Sequence, residues 1–235
     1  MSARLLSAAA AALAALAAVL LHSAPPAQAQ VQAAESDYSS FFTDDALRGS
    51  GWRSCPTPVT WSVDTGRLSA DAARKEVTRL RKALHHWSEH TGVPLAFAGR
   101  QRLVYDNSSY LLRSAEDQQE RTRHIYIGFY TAKEVPGLSG NVVGLARPTS
   151  VLTAERELVS GMAVFRRGYV LREQIAEPRH LTHLYLHELG HIWGLGHAES
   201  PANVMYPTLG TVTELGPGDR AGARAHTQEC AATTG

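Results

Sequence analysis

Hydrophobic and polar positions follow two different periods along the chain, and these periods predict where strands and helices lie. Residues 59–63 (VTWSV) alternate between apolar and polar side chains and include β-branched residues, the pattern of a β-strand. After Ser69, a residue typical of a helix N-cap, apolar residues recur every three or four positions up to Thr91 and Gly92. This spacing predicts an amphipathic helix that ends at Gly92 and buries one apolar face: Ala73, Val77, Leu80, Leu84 and Trp87.

Further strands and one more long helix are expected downstream. Apolar or β-rich segments predict short strands at 95–97, 103–105, 124–129 and 142–146, the last after a turn-rich loop at 137–141. Residues 162–171 predict another strand, interrupted by Arg166-Arg167-Gly168, and a long helix is expected just after Pro178. Strands alternating with helices over about 180 residues indicate one domain of the α/β type.

The first 29 residues differ from the rest of the chain. They hold one charged residue, Arg4, followed by an apolar stretch over residues 5–21 and by Ala27-Gln28-Ala29. This order predicts a secretory signal peptide cleaved after Ala29, with a transmembrane anchor as the alternative. We therefore divide the chain into a signal peptide (1–29), a flexible arm or short pro-segment (30–51) and a folded domain (52–235).

Composition and charge exclude partners that are recruited mainly by net charge. The 235 residues are 44% hydrophobic and 19% charged, with 23 Lys and Arg against 22 Asp and Glu. Removing the predicted signal peptide takes away Arg4 and leaves 22 basic and 22 acidic residues. A neutral mature chain is not expected to bind nucleic acid, nor a membrane once the signal is removed.

Cys55 and Cys230 are the only cysteines of the chain. In an exported protein, an oxidising compartment favours a disulfide between them, which would join the start of the folded domain to its end. The alternative is that Cys55 is a free thiolate that blocks a metal site and keeps the protein latent.

The residues with the strongest chemical signal lie in one segment, residues 187–197 (HELGHIWGLGH). On a helix, His187 and His191 lie one turn apart on the same face, so both imidazoles can reach one ion. A turn at Gly194, which can adopt left-handed backbone angles, would bring His197 towards that ion. Three neutral imidazoles and one water form the open tetrahedral site of catalytic zinc.

Two neighbouring features complete this interpretation. Glu188 leaves the helix about 100° from His187, beside the ion, which suits a base acting on metal-bound water. His180 and His183 also have helical spacing, but they lack an accompanying glutamate and turn. We expect these two histidines to be polar residues on the helix surface.

Met205 follows in the phrase Asn203-Val204-Met205-Tyr206-Pro207, and with the HExxHxxGxxH motif this phrase resembles the metzincin zinc endopeptidases, specifically the matrixins. The resemblance implies that His187, His191 and His197 bind one catalytic Zn²⁺, that Glu188 is the general base, and that Met205 packs as a floor beneath the metal. It also implies an α/β (α+β) fold with a twisted, mostly parallel sheet, an antiparallel edge strand, two long helices and a small C-terminal subdomain.

The resemblance is weaker elsewhere in the chain. Residues 140–148 (GNVVGLARP) are similar to the matrixin loop and edge strand that pair with substrate, which implies substrate contacts for Val143, Gly144, Leu145 and Ala146. The wall of the specificity pocket would be Pro207, Thr208 and Leu209, which departs from the family's Pro-x-Tyr. Matrixins also hold a second zinc and calcium, but no matching His/Asp cluster occurs between residues 106 and 180, so Ca²⁺ has no support in the sequence.

The function expected from these features is that of a secreted, extracellular zinc metalloendopeptidase. It would hydrolyse peptide bonds by Glu-assisted attack of zinc-bound water, acting as a monomer on an extended peptide or protein. The alternative is a zinc-containing module of the same fold that binds peptides without cleaving them, although such a binder has no need of Glu188.

Overall fold

A computed structural model describes residues 27–116, 121–152 and 154–230 of the chain. The predicted signal peptide, up to residue 26, lies outside the described residues. The elements in chain order are α1 (Ala27–Glu35), β1 (Trp52–Ser54), β2 (Val59–Asp64), α2 (Ala70–Thr91), β3 (Leu95–Arg100), β4 (Leu103–Asp106), β5 (Leu111–Ser114), β6 (His124–Tyr130), β7 (Gly144–Leu152), β8 (Glu157–Arg166), α3 (Arg167–Ala176), α4 (Pro178–Ile192), α5 (Pro217–Ala225) and β9 (Thr227–Glu229).

A five-stranded sheet with the order β3-β2-β6-β8-β7 forms the centre of the domain. The β3–β2, β2–β6 and β6–β8 pairs are parallel, whereas β7 pairs antiparallel with β8 and forms one edge of the sheet. All seven residues of β6 are buried, as expected for a central parallel strand that is covered on both faces. The predicted α/β fold, with a mostly parallel sheet and an antiparallel edge strand, is confirmed.

The two long helices pack against each other. The α2 helix begins after Ser69, whose hydroxyl accepts the Ala72 N–H, and it ends at Gly92 with a left-handed φ of 67°. The predicted apolar face of α2 is buried. The indole N–H of Trp87 donates to the Leu186 carbonyl of α4 at 3.1 Å, and this bond joins the two helices directly.

The strand expected over residues 162–171 is wrong beyond Arg166, where β8 ends and α3 begins. Tyr169, Val170 and Glu173 are the buried residues of α3, and their spacing places them on one helical face. The Arg-Arg-Gly interruption thus marks a change of element rather than an irregularity within one strand.

The first and last strands of the structure lie side by side. The β1 and β9 strands form a parallel pair, and Cys55 and Cys230 form a disulfide with their Cα atoms 5.1 Å apart. The α1 helix contacts α5, and residues 36–50 run along the domain surface between α1 and β1. Within the described ranges, the helices are too short or too polar to cross a bilayer.

Candidate metal centre

The α4 helix and the turn that follows it bring three histidines to one point. His187 and His191 lie one turn apart near the end of α4, and His197 approaches from the loop beyond it. One ring nitrogen from each histidine lies within 4.8 Å of the others, a separation that lets all three bind one ion. Among the described residues, these histidines are the one set of three or more candidate ligands that converge in this way.

Gly194 makes the approach of His197 feasible. The helix stops at Ile192, and Gly194 has a φ of +89°, a conformation that side chains other than glycine rarely adopt. The space is restricted as well, because a Cβ atom at this position would lie 2.7 Å from the Ser50 carbonyl oxygen. The turn predicted at Gly194 therefore depends on both the backbone conformation and the absence of a side chain.

Hydrogen bonds orient two of the three rings. The Nδ1 atom of His187 lies 2.7 Å from the Val204 carbonyl, and Nδ1 of His191 lies 2.8 Å from the Leu195 carbonyl. Because a carbonyl can only accept, each Nδ1 carries the proton and donates it. Each Nε2 then presents a lone pair. This arrangement is found in metal-binding histidines, in which the other ring nitrogen donates its N–H to a neighbouring acceptor.

Burial keeps the rings in the form that binds metal. It lowers the pKa of His187 to about 3 and that of His191 to about 4, and it also lowers the pKa of His197. The three imidazoles are therefore neutral at physiological pH. Neutral imidazoles are the form that Zn²⁺ requires, so the donor set fits this ion.

The side chain of Glu188 extends from α4 towards the edge strand β7. The residue is 7% exposed, and burial raises the pKa of its carboxyl to about 8. Its Oε1 atom would be 2.5 Å from a Cβ placed on Gly144, so the carboxyl group packs directly on the β7 backbone. A carboxyl group with a pKa near neutrality can both take up and release a proton.

Met205 is buried in the turn that follows His197 and packs against Gly190 of α4, where a Cβ atom would overlap its sulfur. The carboxylate of Asp219 holds this turn by accepting the N–H groups of Val204, Met205 and Gly216 at 2.7, 3.1 and 2.7 Å. The role of Asp219 is not predicted from the sequence. The sequence signal for Asp219 is its position two residues after Pro217, which is typical of an acidic residue in the first turn of a helix.

A cleft of about 570 Å³ passes over the three histidines and Glu188. The residues predicted to contact substrate all line this cleft: Val143, Gly144, Leu145 and Ala146. Pro207 and Leu209 also line it, together with Leu184, whereas Thr208 is exposed and does not line the cleft. Phe41, which is not predicted from the sequence, reaches the cleft from the N-terminal segment, with its ring centroid 5.8 Å from that of His191.

The two histidines upstream of the motif have different surroundings. His180 is half-buried, and its Nδ1 lies 3.0 Å from Oε2 of Glu173. The prediction that His183 lies on the helix surface is wrong, because the residue is 1% exposed and stacks on His187 with ring centroids 6.4 Å apart. The loop around Gly210 covers this side of α4, and a contact between segments so far apart in sequence leaves no local pattern.

Comparison with known families identifies one match. A model of the matrixin family (Peptidase M10) matches residues 51–225, which include the sheet, the three histidines, Met205 and α5. A search of curated proteins finds no match.

Proposed function

Because the chain belongs to the matrixin family, whose members are zinc metallopeptidases, we propose that it is a secreted zinc-dependent endopeptidase. The observation that carries this proposal is the convergence of three neutral histidines and a buried glutamate beside an open sheet edge. The histidines are His187, His191 and His197, and the glutamate is Glu188.

The three histidines would hold one Zn²⁺ through their Nε2 atoms. The converging nitrogens, the two oriented Nδ1 groups and the lowered pKa values all support this assignment. When bound, Zn²⁺ supplies a Lewis acid that polarises the scissile carbonyl and lowers the pKa of water.

Glu188 would move the proton during hydrolysis. Its carboxylate takes the proton of the attacking water, and the resulting acid passes that proton to the leaving amine. The position of Glu188 against Gly144 supports this role, because a peptide lying along the strand would bring its scissile bond next to the carboxyl group.

The free edge of β7 would bind the substrate backbone. The Arg166 N–H donates to the Val143 carbonyl at 2.8 Å, so Val143, Leu145 and Arg147 direct their backbone groups towards β8. Gly144 and Ala146 direct theirs to the open side, where an extended peptide can add as a strand. Pro148 is the next outward residue and has no N–H, which limits how far this pairing continues.

A peptide-library digest with and without a zinc chelator tests the proposal, and Glu188→Gln provides the matched variant. We expect chelator-sensitive cleavage by the wild-type protein. The Glu188→Gln protein should bind zinc with unchanged stoichiometry and lose nearly all turnover. Zinc binding without cleavage by the wild-type protein would instead favour the non-catalytic peptide-binding module.

Secretion is proposed from the N-terminal sequence and is consistent with the disulfide between Cys55 and Cys230. Expression of the full chain in a secreting host tests it. We expect the exported protein to begin near Gln30, and retention of residues 1–29 would contradict the proposal.

A further inference from the structure

The third metal ligand differs from the other two in how it is held. His187 and His191 lie on a helix, and their rings donate to backbone carbonyls. His197 lies in a loop and is exposed, and among the described residues no hydrogen-bond partner fixes its ring. The position of His197 must therefore be set through its backbone.

A five-residue segment from the N-terminal part of the chain, residues 37–41, lies along this loop; we call it the strap. Its residues form an antiparallel bridge in which the Phe41 N–H donates to the Gly194 carbonyl at 2.7 Å and the Gly196 N–H donates to the Ser39 carbonyl at 2.8 Å. The Ser39 hydroxyl also donates to the carbonyl of His197 itself at 2.7 Å. The strap thus contacts the loop immediately before His197 and at His197.

Asp37 extends these contacts to the residues after His197. Its carboxylate accepts the N–H groups of Glu199 and Ser200 at 2.7 and 2.9 Å, and the side-chain amide of Asn203 at 2.6 Å. Asn203 in turn accepts the Gly218 N–H of α5 at 3.0 Å. One carboxylate therefore joins the His197 loop to the turn that contains Met205, through hydrogen bonds strengthened by its charge.

We propose that the strap is a permanent part of the metal centre and that Asp37 is the positioning residue for His197. This inference rests on the zinc site of the proposed function and extends it to a segment upstream of the folded domain. A removable pro-segment would then have to end before Asp37, and the active secreted protein would retain the strap.

The zinc affinity of the full-length secreted protein tests this inference. The affinity is measured by competition with a chromophoric chelator, at a temperature well below that of unfolding. We expect Asp37→Ala to weaken zinc binding about ten-fold or more, as is typical when a partner that orients a ligand is removed. Asp37→Asn keeps one acceptor oxygen and should have an intermediate effect. Asp45→Ala is the matched control, because it removes the same charge from a side chain that contacts Arg48 at the exposed surface, and its affinity should stay within two-fold of wild type.

The possible failures are distinguishable. If wild type binds no zinc, or binds zinc and cleaves nothing, the proposed function is wrong. If wild type binds zinc and Asp37→Ala binds it equally well, the positioning role is wrong. This holds even if the metal-depleted Asp37→Ala protein is less thermally stable than metal-depleted wild type. Should Asp37→Ala fail to fold, Ser39→Ala removes only the bond to the His197 carbonyl and must still weaken zinc binding. An active secreted chain that begins after Phe41, as determined by mass spectrometry, would also overturn the proposal.

Discussion

Gly144 links the substrate strand to the proposed general base, and Gly144→Ala tests that link. The added Cβ would lie 2.5 Å from Oε1 of Glu188 and 2.7 Å from both Cδ and Cγ. Ordinary van der Waals contact begins near 3.4 Å, so the carboxyl group and the strand must separate by about 1 Å. The substitution leaves the backbone N–H and C=O groups of residue 144 available to substrate.

The expected magnitude follows from the sensitivity of catalysis to geometry. A displacement of about 1 Å lowers catalytic efficiency by about 100-fold, which corresponds to about 2.7 kcal/mol of transition-state stabilisation. We expect the loss in kcat, with zinc stoichiometry unchanged, because the three histidines lie on α4 and its following loop rather than on β7.

Steady-state hydrolysis of a fluorogenic peptide, together with metal analysis of the same samples, measures this effect. Gly168→Ala is the matched control, since a Cβ atom at that position has no neighbour within 4 Å and φ is not positive. A Gly144→Ala protein with kcat within two-fold of wild type would refute the argument that Glu188 requires the bare backbone of Gly144. Loss of zinc together with activity would show instead that the strand supports the ligands.

Two further predictions concern the N-terminal and C-terminal contacts of the domain. Phe41→Ala should broaden the preference for one substrate side chain in a peptide-library digest, because Phe41 lines the cleft beside His191. The Phe42 ring packs on the core instead, so Phe42→Ala should lower stability without changing this preference. An identical cleavage profile for both variants would contradict the prediction. Replacing Cys55 and Cys230 by serine opens a loop with a sequence separation of 175 residues. In denaturant titrations this change should lower the free energy of unfolding by up to about 5 kcal/mol. A loss below about 1 kcal/mol would show that the pairing of β1 with β9 holds these two segments together without the disulfide.

The parts of the site that could be predicted from sequence are those set by local geometry. His187 and His191 are four residues apart on a helix, and Gly194 supplies the turn that brings His197 close, so eleven consecutive residues determine the proposed ligand set. The ends of α2 could be predicted for the same reason, because Ser69 and Gly92 cap the helix through neighbours within four residues.

Contacts between distant segments could not be predicted in this way. Asp37 holds residues 199 and 200, and Asp219 holds the backbone of Met205, yet no periodicity or motif relates these positions. The burial of His183 was missed for the same reason. Its helical position suggested a polar surface residue, whereas the residue is buried and the loop near Gly210 packs against its ring.

The proposed metal centre is therefore a local motif held in place by two remote parts of the chain. The His187 ring donates to the Val204 carbonyl, and Asp219 accepts the N–H of Met205, which belongs to the same peptide unit as that carbonyl, so α5 influences the orientation of His187 through one peptide unit. The strap acts on His197 at the opposite end of the motif. Because burial already disfavours charge on the three imidazoles, these rings can lie together without ion-pair partners of their own. The remaining requirement is precise orientation, which the eleven-residue motif cannot supply alone and which the two remote carboxylates provide.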